Sequence, residues 1–368
     1  MTPLAREERL AALVLTLLLG EDLPTGALAA VDWNLLADLA EQNAVLVRLA
    51  DRLADCGIHP PRRLAEAAER ERERARVALG VLELIAAAAA RHGVPWILTK
   101  ARDRLPDVGD DLDLLVGADA DAADRWLLEG VAVNRHEPTL AHRLAGSTLY
   151  TVTGTSLVLD IRHGRLGHAG QHADYATQLF RNQRCVTLGG VTCAVPAPED
   201  QLVLAGVEKV TARRTFHLCD VLHAIGTIRQ RRAHIDWDYV VATARTLGIR
   251  GALSCYLHYV DDIYARLVGA GAGLLDPATR RVLGPPPRGL ARRAEFGRAG
   301  FRFPALWLTG RVHAQQLVCK LVARDWTGAN RLAIWPFAAV AARLDGRATS
   351  VAPAPRPAWP EPAEAQMP

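Results

Sequence analysis

A chain of 368 residues, half of them apolar, is long enough for two or three compact units and too hydrophobic to stay disordered. Its 44 lysines and arginines against 40 aspartates and glutamates leave a formal charge of only +4, with no block of like charge. That balance speaks against a strong nucleic-acid platform and leaves anionic ligands such as nucleotides open. Six scattered cysteines without a C-x-x-C pair argue against zinc and for free thiols, although Cys185 and Cys193 flank a hairpin closely enough to pair. No stretch reaches the ~20 apolar residues a bilayer needs, so the expectation is a cytoplasmic protein with no membrane partner.

In chain order, residues 1–92 read as an N-terminal helical region. Apolar positions recur at helical spacing (Leu10, Leu13, Val14, Leu17, then Trp33, Leu36, Leu39). Asp32 is placed to cap the second of these helices. His59-Pro60-Pro61 breaks the pattern, and a long helix runs from Arg62 to His92 with Gly93 just past its end. Its second half is nearly all apolar, as a helix buried against another unit would be.

The period changes over residues 93–197. Strands are expected at Trp96–Thr99 and Asp111–Val116 and a helix at Asp121–Leu128. Two hairpins should turn at Gly154-Thr155 and Gly189-Gly190. Residues 198–283 are helical again, with Asp236 capping one helix. Residues 284–348 form a linker and an aromatic-rich helical extension whose rings are expected to pack in a core or interface. Residues 349–368 are a Pro/Ala tail with the composition of a disordered segment.

The stretch Asp111-Leu112-Asp113-Leu114-Leu115-Val116 is the most informative. On a strand, Asp111 and Asp113 share one face, and Leu112, Leu114 and Val116 point to the other, into a core. Two carboxylates so placed can converge on a hard divalent cation that keeps positions open for phosphate oxygens. Further along, Asp160 ends an apolar strand and points opposite Leu159 and Ile161. Alone, an acidic D-x-D run is as well explained by a charged sheet edge.

The order helix, strand, loop, acidic strand, hairpin resembles the catalytic core of the DNA polymerase β-like nucleotidyltransferases. In particular the chain is similar to a bacterial family of uncharacterised nucleotidyltransferases. Ile97-Leu98-Thr99-Lys100, Asp111–Val116, Leu159-Asp160-Ile161, Pro196–Asp200, Leu218-Cys219-Asp220 and Ile235–Asp238 carry the likeness, over roughly residues 30–265.

The resemblance implies an α+β fold, with a mixed β-sheet core flanked by the N-terminal helical region and a C-terminal helical domain. It also implies transfer of NMP from an NTP such as ATP to an unidentified acceptor: small molecule, peptide, protein or RNA. Asp111, Asp113 and Asp160 would hold Mg2+ as a two-ion site (or Mn2+), Asp160 serving alternatively as general base. Lys100 and Arg162 would bind phosphate, helped by Arg165. A salt bridge from Lys100 to Asp103 or Asp111 is the structural alternative. Asp110 would stand behind the pair. Glu208, Lys209, Arg213 and Arg214 would line the cleft or a solvated helix face. His136, His142, His163 and His168 read as surface or satisfied core residues. Ala101 stands where the family carries glycine, so a nucleotide-binding module without catalysis, or a phosphotransferase using the same metal site, are the alternatives.

Overall fold

The computed structural model describes residues 3–21, 26–29, 31–100, 105–109, 111–212, 215–232, 234–267, 273–285, 295–297 and 300–344. Ala101, Asp103, Asp110, Arg213, Arg214 and the 349–368 tail lie outside the described residues.

Helices α1 (Pro3–Leu18), α2 (Trp33–Gln42) and α3 (Leu46–Asp55) precede the long α4 (Arg62–His92). Asp32 caps α2, accepting from the backbone N–H of Asn34 and Leu35. Gly93 ends α4 in the left-handed conformation that a residue without Cβ adopts at low cost. Helix α3 has no capping side chain of its own. Asp107, from the loop before the acidic strand, accepts from the N–H of Val47 and Arg48 instead, pinning that loop to the N-terminal helices.

A five-stranded sheet has the order β1 (Trp96–Leu98), β2 (Asp111–Val116), β5 (Val158–His163), β4 (Ser147–Val152), β3 (Val133–Arg135). β2 and β5 are parallel, whereas β1–β2, β5–β4 and β4–β3 are antiparallel. Between β2 and β3 runs α5 (Ala120–Gly130), and between β3 and β4 the short α6 (Leu140–Ala145). After β5, α7 (Ala173–Asn182) leads to the hairpin of β6 (Arg184–Leu188) and β7 (Val191–Val195), turning at Gly189-Gly190 as the sequence predicts. β3, α6 and α7 carry no strong periodicity and were not expected.

The sheet separates two cores. Leu112, Leu114, Val116, Leu159 and Ile161 face the second half of α4 (Ala78, Leu82, Ile85, Ala89) and Trp126 of α5. On the other face Ile97, Leu115 and Leu166 join a larger core. β2 is therefore buried on both sides, and the acid-bearing face is an internal one.

The larger core unites α1–α3 with the helices that follow: α8 (Pro198–Ala212), α9 (Leu218–Arg231), α10 (Trp237–Thr246) and α11 (Arg250–Leu267). Asn43 fastens the two groups, its Oδ1 accepting from the N–H of Leu218 at 3.0 Å. Asp236 caps α10. Asp200 accepts from Tyr239 (2.6 Å), Tyr175 (3.2 Å) and Asn182 (3.3 Å), tying α7, α8 and α10 together. The resemblance motif at Pro196–Asp200 is in this respect architectural.

The short α12 (Pro277–Leu283) follows. β8 (Thr215–Phe216), β9 (Glu295–Gly297) and β10 (Gly300–Arg302) make a small sheet in the order β8–β10–β9. A hairpin of α13 (Ala305–Val322) and α14 (Trp326–Leu344) completes the described chain. Of the rings expected in a core or interface, Phe301 and Phe303 are buried, the latter stacked on Phe216, and Trp307, Trp326 and Phe337 are exposed in the single chain. None of the six cysteines is in a disulfide. Among the described residues no helix is long and apolar enough to cross a membrane.

Candidate active site

Strand pairing assembles the acids. β2 and β5 pair with Asp113 directly opposite Asp160 and Asp111 opposite Val158. Adjacent strands lie about 4.8 Å apart and in-register residues share a face, so the carboxylates of Asp113 and Asp160 are immediate neighbours. Asp111 stands on the same face two residues earlier. Asp113 is almost wholly buried, while Asp111 at the strand's start is half-buried.

Lys100 follows the last residues of β1, where the N–H of Thr99 bonds to the carbonyl of Asp113 at 3.0 Å. Its ammonium contacts Asp113 Oδ1 and lies 3.4 Å from Glu208 Oε2. Of the salt-bridge partners weighed from the sequence, Asp103 lies outside the described residues, and Asp111 acts on Lys100 without being its nearest acid. The structure gives Asp113 across the strand pair, and Glu208 from α8. Burial works against the charge on Lys100, but Asp113 and Glu208 outweigh it and hold the ammonium well above the ordinary lysine range.

Arg162, two residues past Asp160 on the same face, places Nη2 3.7 Å from Asp160 Oδ2 and donates through Nη1 to the carbonyl of Gly167 at 3.0 Å. That carbonyl is presented by a loop in which Gly164, Gly167 and Gly170 all have positive φ. At Gly170 a Cβ would sit 2.6 Å from the carbonyl oxygen of Ala145, so only glycine fits. Burial raises the pKa of Asp160; Arg162 pulls it down, and Asp113 adds to the rise, leaving it above the usual carboxylate range.

The structure thus brings together all five residues singled out from sequence, Lys100, Asp111, Asp113, Asp160 and Arg162. It adds Glu208, which periodicity alone could not separate from a solvated helix face. Lys209, beside it, contacts Asp220 instead. Three of the four histidines make local contacts of their own. His142 closes a capping box with Thr139, His136 meets Thr151, and His163 lies 3.0 Å from Thr148 Oγ1.

Four carboxylates and two cations make an oxygen-rich, acid-dominated site, and hard divalent ions such as Mg2+ and Mn2+ choose oxygen donors. Asp160 Oδ1 and Glu208 Oε1 are buried without a hydrogen-bond partner among the described residues. Such an arrangement is costly unless a cation or ligand completes it. The donor set fits a magnesium-type ion. His217, Cys219 and Asp220 also lie close together. There, however, Asp220 accepts from the N–H of His217 at 3.1 Å and from the Lys209 ammonium, so it serves as a helix cap and ion-pair partner.

The model of a family described as uncharacterised nucleotidyltransferase matches residues 29–265. The chain belongs to that family. No curated protein and no solved structure matches it. In the general sense this is a nucleotidyltransferase, and its α+β architecture is the one expected of such a protein. The family segment includes the five-stranded sheet, α8 with Glu208, and α9–α11 up to residue 265. The hairpin of α13 and α14 lies beyond it.

Proposed function

We propose that this nucleotidyltransferase moves a nucleoside monophosphate from an NTP to an acceptor hydroxyl in a Mg2+-dependent reaction. The observation that supports this reading best is the in-register pairing of Asp113 with Asp160 beside Asp111, with Lys100 and Arg162 on the same side.

Asp111, Asp113 and Asp160 would hold the metal. Bound there, magnesium would offset the negative charge that develops on the phosphoryl oxygens. Arg162 presents a planar fork to the phosphates, and Lys100 a compact charge at the end of β1. Burial raises the pKa of Asp160, and it takes the proton that leaves the acceptor hydroxyl. The acceptor oxygen forms a bond to the α-phosphorus as the bond from that phosphorus to pyrophosphate breaks. Acceptor–NMP and pyrophosphate are the products.

Labelled NTPs test the reaction class. The protein is incubated with Mg2+, cell extract and each of the four NTPs, labelled on the α- or the γ-phosphate. Label from the α-phosphate should enter an acceptor fraction, with pyrophosphate released from the γ-labelled nucleotide. Transfer of the γ-label alone would make the protein a phosphotransferase. Tight nucleotide binding with no product would make it a binding module.

A further inference from the structure

The cation that holds the site together is itself shared between two parts of the chain. Lys100 belongs to the sheet, and its nearer partner, Asp113, is one of the proposed metal-holding carboxylates. Its second partner, Glu208, comes from α8 in the helical unit. It stands at 3.4 Å, longer than the 2.7–2.9 Å of a tight charge-assisted hydrogen bond. Glu208 is largely buried, and its other oxygen has no hydrogen-bond partner among the described residues. A cavity of ≈ 20 Å³, room for about one water, adjoins Lys100 and Glu208 and is lined also by Thr99, Lys209, Asp220 and Tyr256. Lys100 therefore has space and an under-used acceptor on the side away from Asp113.

The charges point the same way. Four carboxylates (Asp111, Asp113, Asp160, Glu208) against two cations (Lys100, Arg162) leave two negative charges, the complement of one divalent ion. An ion entering beside Asp113 competes with the ammonium for the same oxygens, and like charges cannot remain in contact there.

We propose that Glu208 is a positioning residue: it draws the Lys100 ammonium off Asp113 when a divalent ion arrives, and so frees that carboxylate for the metal. The inference rests on the metal-dependent reading above. Without Glu208, Asp113 is the nearest carboxylate left to Lys100, with Asp111 farther off, and the ammonium stays there as a competitor of the incoming ion. Held by Glu208, it remains beside the cluster as a positive charge for phosphate. The helical unit thus acts on the metal site without contributing a ligand to it.

Calorimetric titration of the full chain with Mn2+ alone, without nucleotide, tests this apart from activity. Four proteins are compared: wild type, Glu208→Gln, Lys100→Met and the double variant. With Lys100 present, Glu208→Gln should weaken Mn2+ binding by at least tenfold. With methionine at 100 the same change should cost threefold or less, only the loss of one nearby negative charge. Glu208→Asp should recover most of the affinity, and circular dichroism shows that each variant is folded. Equal losses in the two backgrounds would overturn the inference, because Glu208 would then act on the ion by itself. No loss in either background would also overturn it. A wild-type protein that takes up no Mn2+ would instead overturn the metal reading, and this inference with it.

Discussion

Asp160→Asn lowers nucleotidyl transfer by ~10³-fold or more while leaving the protein as stable as before, or more so. Both halves of this expectation come from one position. The Asp160 carboxylate lies in register with Asp113, and its Oδ1 is buried without a hydrogen-bond partner among the described residues. Arg162, at 3.7 Å, is too far for a hydrogen bond and compensates it only in part. A buried charge so poorly paired opposes folding at neutral pH. The direction of its pKa says the same: a carboxyl held above its unfolded value costs stability at pH values above that range.

The amide removes that cost and, with it, the group proposed to hold the metal and accept the proton. Losing one group that stabilises charge in a transition state typically costs 10²–10³-fold, and here two roles are lost together.

Asp113→Asn offers the contrast. It too should abolish transfer, but it removes the nearer partner of the buried Lys100 ammonium, leaving Glu208 at 3.4 Å. Breaking a buried pair from one side costs about 3–5 kcal/mol, so this variant should melt at a lower temperature. Steady-state transfer assays with thermal melts of both variants check the pair. Transfer by Asp160→Asn within threefold of wild type would remove Asp160 from the reaction.

Acid should loosen the α13–α14 hairpin and, with it, the seat of Arg162. His168 Nε2 lies 3.3 Å from His313 Nδ1, and the His168 ring packs edge-on against Trp335. His172 Nε2 lies 3.2 Å from Gln316 Nε2, and Gln316 in turn accepts from Gln171 at 3.1 Å. These contacts hold the loop whose Gly167 carbonyl receives Arg162.

Both imidazoles are pulled down to about 3. Burial is the main cause, with His313 and Arg162 adding to it at His168. At His172, Lys320 and His168 add to it, and Asp325 opposes. An unfolded histidine takes up its proton near pH 6.5, whereas these stay neutral until about pH 3. The unfolded chain therefore binds more protons throughout that interval. The contribution to stability is complete above pH 6.5 and is lost as the pH falls toward 3. Each unit of depression is worth about 1.4 kcal/mol, so the two together amount to several kcal/mol.

Asp107, Asp160 and Asp200, whose carboxyl groups burial raises, work in the opposite direction, while His163 and His313, lowered by burial, add to the loss in acid. Urea unfolding at pH 7.5, 6.0 and 4.5 should show a steep loss of stability, which His168→Phe reduces by keeping the contact with Trp335 and deleting a titrating group. A stability that stays flat over this range, or an identical slope in the variant, would contradict the account.

The sequence showed the two acidic strands because strands write their faces into alternation. Leu112, Leu114, Val116, Leu159 and Ile161 mark one side and leave Asp111, Asp113 and Asp160 on the other. The turn at Gly189-Gly190 and the caps at Asp32 and Asp236 were likewise local signals. What escaped depends on contacts between distant segments. For Lys100 the sequence offered a phosphate or a nearby acid, but it could not single out Asp113 on β2 or reach across to Glu208 on α8. Nothing in the α8 pattern distinguishes Glu208, facing the sheet, from any other acid on an amphipathic helix.

Asn43 and Leu218 join two helical groups that look separate in sequence because a whole sheet is threaded between them. Trp307, Trp326 and Phe337 were expected to pack in a core or interface, and within the single chain they are exposed. Composition shows that a helix is apolar but not whether a partner covers every side of it.

The acids of β2 and β5 are proposed to gather a divalent ion. Crystals soaked in Mn2+ and measured at a wavelength where manganese scatters anomalously test this without any acceptor. A peak bounded by the carboxylates of Asp111, Asp113 and Asp160 is expected, with oxygen ligands, and the Lys100 ammonium shifted toward Glu208. No peak between those three side chains, or a peak only at another place such as His217, Cys219 and Asp220, would contradict it.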